Sequence, residues 1–285
     1  GTALTYALTG NTNKALSVLM VDFSCALKLS IPIAVLSAMR QASNMGVVIK
    51  GGKYMELVSQ ADTVVFDKTG TLTVSSPKVK DIVTFEGNDK KEMLKLAACL
   101  EEHYPHSIAN AVVKAAADEG LVHEEKHSKV EYVVANRLVA VILIEEPIRK
   151  ESKQLIRSLH ESGLHNLVMM TGDSERTAKA VASKVGMDAY YSEVLPEDKA
   201  MFVRKEKNNG KKVIMIGDGI NDALALSEAD VAVAISNGAE ITREIADITV
   251  PADDITKIAA LRNLSTKLEN RIAGNYHKIM TINST

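Results

Sequence analysis

A chain of 285 residues, 46% hydrophobic and 25% charged, is long enough for one large or two modest domains. Its formal net charge of −2 gives no global basic field, and with no Trp and four Phe it offers no aromatic base-stacking surface, so no nucleic acid is expected as a partner. Two cysteines, Cys25 and Cys99, exclude a disulfide framework and a Cys-rich zinc site, and they fit a reducing compartment.

The first marked feature is the apolar run ALSVLMVDFSCALKLSIPIAVLSAM at 15–39. It is long enough to span a bilayer, which takes about 20 residues, although Asp22, Lys28 and Pro32 interrupt it. Periodicity alone supports a buried helix of a soluble protein equally well. If the run spans, Arg40, Lys50 and Lys53 behind it place the following residues in the cytoplasm. No cleavable signal layout is visible.

From residue 61 strand-like and helix-like patterns alternate. VVFD (64–67) reads as a strand that runs into a polar turn, and the polar segment KVKDIVTF (78–85) follows. KKEMLKLAACLEE (90–102) and SIANAVVKAAADEG (107–120) have helical spacing. RLVAVILIEE (137–146) is rich in β-branched residues and is expected to be a buried strand. KESKQLIRSLHESG (150–163) is an amphipathic helix with Gly163 as its stop signal. NLVMMTGD (166–173) is a strand into a turn, ERTAKAVASKVGM (175–187) a helix and AYYSEV (189–194) a short strand. PEDKAMFVRKEKNNG (196–210) is a helix opened by Pro, and its basic continuation to Lys212 reads as a solvated helix end. KKVIMIGDGIND (211–222) is a strand into a Gly-rich turn, and ADVAVAI (229–235) and DITV (247–250) complete the series.

Alternating strands and helices predict an α/β fold with a doubly wound parallel sheet, in which ligands bind at the carboxyl ends of the strands. Three such ends carry an acid: Asp67, Asp173 and Asp218. Carboxylates gathered at one sheet edge repel one another unless a cation joins them, and Mg²⁺ suits all-oxygen sites that work on phosphates. Asp218 and Asp222, with Asn221 between them, are therefore candidate metal ligands. A lone Asp in a turn most often caps backbone. The company of Asp67, Thr171-Gly172-Asp173 and Lys199 in one chain argues for a site instead. GDGIND does not read as a dinucleotide fingerprint, because the third glycine is absent and an Asp occupies the turn.

DKTGTLT, TGD and GDGINDA, in this order, closely resemble the P-type ATPases, whose catalytic domain is haloacid-dehalogenase-like; the resemblance covers roughly residues 15–285. It implies that Asp67 is phosphorylated by ATP within a catalytic set of Asp67, Lys68, Thr69, Thr171, Gly172, Asp173 and Lys199. Thr171 and Lys199 would hold the phosphoryl oxygens. Asp218, Asp67 and the backbone carbonyl of Thr69 would bind Mg²⁺, supported by Asn221 and Asp222. Related phosphatases carry a second Asp two residues after the nucleophile as acid–base. Thr69 stands there instead, and a positioned acid–base contributes about 10²–10⁴-fold. A persistent phosphoenzyme, suited to an energy-coupled cycle, is the expected consequence.

FSCALKLSIP (23–32) and MGVVIKGG (45–52) resemble the heavy-metal-transporting branch. Cys25 matches the last Cys of that branch's membrane motif, while Phe23 and Ser24 replace its first two positions, so Cys25 is a candidate ligand for the transported cation. CLEEHYPHSIANAV (99–112) resembles the nucleotide-domain element in which Glu101 and His106 lie near adenine, with Ser107 where the family has Pro. The Gly-x-Gly segment that should follow is absent, so about half of the nucleotide domain is missing.

The resulting expectation assigns a membrane-helix segment to 1–45, a phosphorylation domain to 46–84 and 137–256, a partial α+β nucleotide domain to 85–136, and the start of another membrane helix to 257–285. No actuator-type TGE precedes Asp67, so the chain is expected to be the catalytic portion of a pump. By the same resemblance the full-length protein is multi-pass in the membrane with its catalytic domain cytoplasmic, and its partners are ATP, Mg²⁺ and a metal cation. A soluble phosphatase of the same fold and a catalytically incomplete nucleotide-binding fragment remain the alternatives.

Overall fold

The computed structural model describes residues 2–74, 76–85, 87–102, 107–121, 138–218, 222–236 and 244–284, with side chains at 3, 19–27, 107, 280 and 282–284 left aside. The chain forms two compact units. One holds residues 1–71 and 150–285; the other is the inserted stretch Leu72–Arg149.

The larger unit is built on a seven-stranded sheet. Its strands are β1 (Val48–Ile49), β2 (Thr63–Asp67), β5 (Leu167–Met170), β6 (Ala189–Tyr191), β7 (Val213–Gly217), β8 (Val231–Ser236) and β9 (Ile248–Pro251). Their spatial order is β1-β9-β8-β7-β2-β5-β6. All neighbours are parallel except the edge pair β1–β9. The expected doubly wound parallel sheet is thus present, with one antiparallel edge.

Strands β2, β5 and β7 are buried along their whole length. Both faces of a parallel sheet are covered by helices, so its central strands read as unbroken apolar runs. On one face Val65, Val168, Met170 and Met215 pack with Val203 and Leu226, which lie on helices α8 (Pro196–Asn208) and α9 (Ala223–Glu228). On the other, Val64 and Ile214 meet Val58, Leu159, Ile258 and Leu261. Those residues belong to α3 (Gly52–Gln60), α6 (Ser152–Glu161) and α10 (Lys257–Ser284). Each buried Val, Leu or Ile contributes roughly 1.5–3 kcal/mol.

The helix signals act where expected. Helix α6 ends at Glu161, and Gly163 takes φ +89° behind it. Helix α7 (Glu175–Val185) buries Ala178, Val181, Ala182 and Val185, the i, i+3, i+4, i+7 stripe of a helix on a sheet. Pro196 opens α8, where its missing N–H costs no hydrogen bond.

The flanking segments are helical. Helix α1 (Thr2–Thr9) is followed by α2 (Thr12–Asn44), which runs through Pro32 without ending. Among the described residues, no helix is long and apolar enough to cross a membrane. The first part of α10 is core, with Ile258, Ala259, Leu261, Ser265 and Leu268 buried, and Arg262 donates to the Val58 carbonyl.

The smaller unit holds β3 (Lys78–Thr84), α4 (Lys90–Glu101), α5 (Ser107–Asp118) and β4 (Ala140–Glu145). Ile82, Leu94, Ala98, Val112 and Ala116 form its core. The two compact units divide at 71/72 and 149/150, while the expected nucleotide domain spans 85–136. Within the smaller unit β3 and β4 pair antiparallel with each other. The same pairing corrects the expectation of a buried strand at 137–146. β4 belongs to a two-stranded sheet and alternates half-buried with exposed residues, Val141 and Leu143 facing out.

Candidate active site

β2 is central in the sheet, with β5 on one side and β7 on the other. The chain builds outward from β2 in one direction and then in the other, which makes its carboxyl end the switch point where such sheets bind ligands. Asp67 is the last residue of β2 and pairs in register with Met170, so Thr171 follows at the neighbouring strand end. Gly217 ends β7 on the other side, and Asp218 comes next. Three loops therefore meet around Asp67.

Behind Asp67, Lys68–Leu72 make a sharp turn in which Thr69 takes φ −75°, ψ 130° and Gly70 takes φ 74°, ψ −17°. These are type II turn angles, and the positive φ at its third position is why a glycine stands there. Thr69 is half-buried and Lys68 is 4% exposed. The Lys68 Nζ donates to Asp173 Oδ2 at 2.5 Å, tying the β2 turn to the β5 loop. Thr171 is buried, and its Oγ1 accepts from the Asp173 N–H at 3.1 Å, so its own hydroxyl proton remains to donate. Gly172 is exposed.

Lys199 comes from the first turn of α8. Its Nζ donates to Asp67 Oδ1 at 2.5 Å and to Asp222 Oδ1 at 2.8 Å. All three groups are buried, Asp222 to 1% exposure. Asp222 sits immediately before α9 with its carboxylate over Gly217, where a Cβ would lie 2.5 Å from Asp222 Oδ2. The glycine in front of Asp218 is thus the seat of Asp222, a function that its place in GDGIND could have suggested and that the sequence reading missed.

Burial drives the electrostatics. It pushes the Asp67 carboxyl up to about 7, helped by the Asp222 charge and opposed by Lys199. Asp222 is also raised, again by burial first, with Lys199 opposing. Burial alone would lower Lys199, but the two carboxylates outweigh it and hold the ammonium above its ordinary value. One ammonium thus bridges two buried acids, with Asp218 half-buried near them.

The expected donor set of Asp67, Asp218 and the Thr69 carbonyl would offer only oxygen atoms, which fits Mg²⁺, since that ion needs only one or two carboxylates when phosphate and water complete its shell. Among the described residues, no group of three His, Cys, Asp or Glu side chains stands ready to hold a metal alone. Asn221 and His106 lie outside the described residues, as does the side chain of Cys25, which falls within α2. Glu101, half-buried, ends α4 in the smaller unit. The structure therefore gathers Asp67, Lys68, Thr171, Asp173, Lys199 and Asp222, and it does not relate Glu101 or Cys25 to them.

Comparisons with known proteins agree. Residues 61–230, more than half of the chain, match the model of the haloacid dehalogenase-like hydrolases. The chain is 33% identical over 312 residues to a protein named copper-transporting ATPase 2 from Rhizobium meliloti, covering 92% of this chain and 37% of that one. It superposes on a zinc-transporting PIB-type ATPase in an E2.Pi state with a TM-score of 0.82 and 25% identity, over 99% of this chain and 55% of the other. The catalytic domain of the CPx-ATPase CopB-B matches with a TM-score of 0.68 and 32% identity, over 79% of this chain and 98% of that domain. The chain spans less than half the length of the curated relatives it matches. With its site at the carboxyl end of β2 and nearly the whole of a CPx-ATPase catalytic domain matched, the chain belongs to the heavy-metal P-type ATPases, within the haloacid dehalogenase-like hydrolases.

Proposed function

We propose that this chain is the catalytic portion of an ATP-driven heavy-metal pump and that Asp67 becomes phosphorylated from Mg-ATP. The observation that carries the reading is Asp67 itself: a buried carboxylate at the central strand end, 2.5 Å from the ammonium of Lys199. In the reaction an Asp67 oxygen forms a bond to the γ-phosphorus. The bond from that phosphorus to the bridging oxygen breaks, and its electron pair leaves with ADP. Lys199 offsets charge on the attacking carboxylate and the incoming phosphoryl oxygens, the electrostatic role that dominates phosphoryl transfer. The free hydroxyl proton of Thr171 is available to a phosphoryl oxygen, and Lys68 holds Asp173 so that this loop keeps its place. Mg²⁺, held by Asp67, Asp218 and the Thr69 carbonyl with support from Asn221 and Asp222, would add positive charge that keeps Asp67 ionised and neutralises the phosphate.

Thr69 cannot accept or supply a proton near neutral pH, so this turn gives hydrolysis of the acyl phosphate no general base. That favours a persistent intermediate over a soluble phosphatase. Membrane location, the transported cation and the role of Cys25 belong to the same proposal; relatives are named for copper, zinc and manganese, and a thiolate suits the first two. Glu101 and His106 are proposed to lie near adenine.

The test is incubation with γ-labelled ATP and Mg²⁺ followed by an acid quench. The expected label is acid-stable, hydroxylamine-labile and absent from Asp67→Asn. Equal labelling of that variant would overturn the assignment.

A further inference from the structure

Among the described residues, Glu193 is the one non-glycine with a positive φ, at 53°. L-residues with a Cβ rarely adopt this left-handed conformation, and where one is held in it the surroundings must over-determine the backbone. Glu193 lies in the loop between β6 and α8, and the neighbours on both sides are anchored. The Tyr191 ring packs 5.1 Å from Phe202 of α8, and the Tyr191 carbonyl accepts from the Thr171 N–H at 3.0 Å. Tyr190 Oη and Ser192 Oγ donate to the two oxygens of Glu175, at 2.6 and 2.7 Å. Beyond it, Val194 packs against the core, and its N–H donates to the Thr171 carbonyl at 3.0 Å.

With both sides fixed, residue 193 absorbs the change of direction, and its N–H donates to the Asp173 carbonyl at 2.9 Å. Asp173 is the residue whose carboxylate meets Lys68. The loop thereby grips both ends of Thr171-Gly172-Asp173 through backbone alone, while the Glu193 side chain points to solvent.

We propose that Glu193 is a positioning residue for phosphoryl transfer: its left-handed backbone aims its amide at Asp173 and holds the Thr171–Asp173 loop at the strand end next to Asp67. The proposal rests on the reading of Asp67 as the phosphoryl acceptor. It assigns the function to the backbone conformation and none to the carboxylate, so the sign of each substitution is determined in advance. Glycine and asparagine accept the left-handed region; alanine does so poorly and valine worst.

The experiment compares Glu193→Gly, Glu193→Asn, Glu193→Ala and Glu193→Val with the parent chain in the labelled-ATP assay and by hydrogen exchange of the residue-193 amide. Glycine and asparagine are expected to keep the parent phosphorylation rate and amide protection. Valine is expected to slow phosphorylation tenfold or more at an unchanged half-saturating ATP concentration and to lose that protection, with alanine between. If valine does not fold, alanine against glycine decides. Parent-like behaviour of valine and alanine would overturn the proposal, and so would a loss with glycine and asparagine as large as with valine. If the parent chain takes no label, the reading of Asp67 fails, while the amide protection series still decides whether residue 193 holds the loop.

Discussion

Replacing Lys199 by methionine tests the energetics of the site most directly. The methionine keeps the volume of the lysine stem and removes the ammonium that lies 2.5 Å from Asp67 and 2.8 Å from Asp222. Those carboxylates are only 10% and 1% exposed, so water cannot take over the lost interaction. Removing one partner of a buried ion pair costs about 3–5 kcal/mol, because each remaining carboxyl must either stay charged and unpaired or take up a proton from a solution at pH 7.5. In a chain of this size each kcal/mol moves the thermal midpoint by roughly 2–4 °C, so Lys199→Met is expected to lower it by about 10 °C. Because the chain has no Trp, unfolding is best followed by far-ultraviolet circular dichroism, at pH 7.5 with a chelator present. Adding Asp67→Asn to Lys199→Met removes one of the two stranded carboxyls and is expected to restore about half of the loss. A single variant within 1 kcal/mol of the parent, or a double variant less stable than the single, would refute the reasoning.

The pH dependence follows from Asp67, whose carboxyl is raised from 3.8 to about 7 in the folded protein. Between those values the folded state keeps a proton that the unfolded state has released, so stability is fully present below about pH 4 and falls as pH rises to 7. At roughly 1.36 kcal/mol per pKa unit this amounts to at most about 4 kcal/mol in metal-free protein. Asp67→Asn is expected to flatten that slope in denaturant titrations across the same range, and an unchanged slope would contradict it. Gly217→Ala places a Cβ 2.5 Å from Asp222 Oδ2 and is expected to cost about 1–3 kcal/mol. In an Asp222→Ala background the same change is expected to cost far less, which a double-mutant cycle on thermal unfolding measures.

The parallel sheet was legible because VVF, LVMM and VIMI are continuous apolar runs, the pattern of strands covered on both faces. The run VAVILIE looks the same in one dimension and folds differently. Among the described residues its only partner is β3, and half of its side chains stay outside. The pairing of Lys78–Thr84 with Ala140–Glu145 was not legible either, because a contact between distant stretches leaves no mark in either of them. At 257–284 only packing shows that the first part of the helix belongs to the core.

By itself the sequence determined the chemistry available at the site. It places an acid at a strand end, Thr69 where an acid–base would stand, a glycine where the turn needs positive φ, and a lysine just inside a helix that Pro opens. These are local matters of residue type and backbone preference, readable a few positions at a time. Only the tertiary structure decided which groups share charge. Lys199 lies between Asp67 and Asp222, Lys68 meets Asp173, and Glu193 accepts a strained backbone to reach the Asp173 carbonyl. Each pairing joins a strand end, loop or helix start to another that follows a different strand of the same sheet. Burial of Asp67, Lys199 and Asp222 removes the water that would otherwise screen their charges, which turns a set of acids and a lysine into a site.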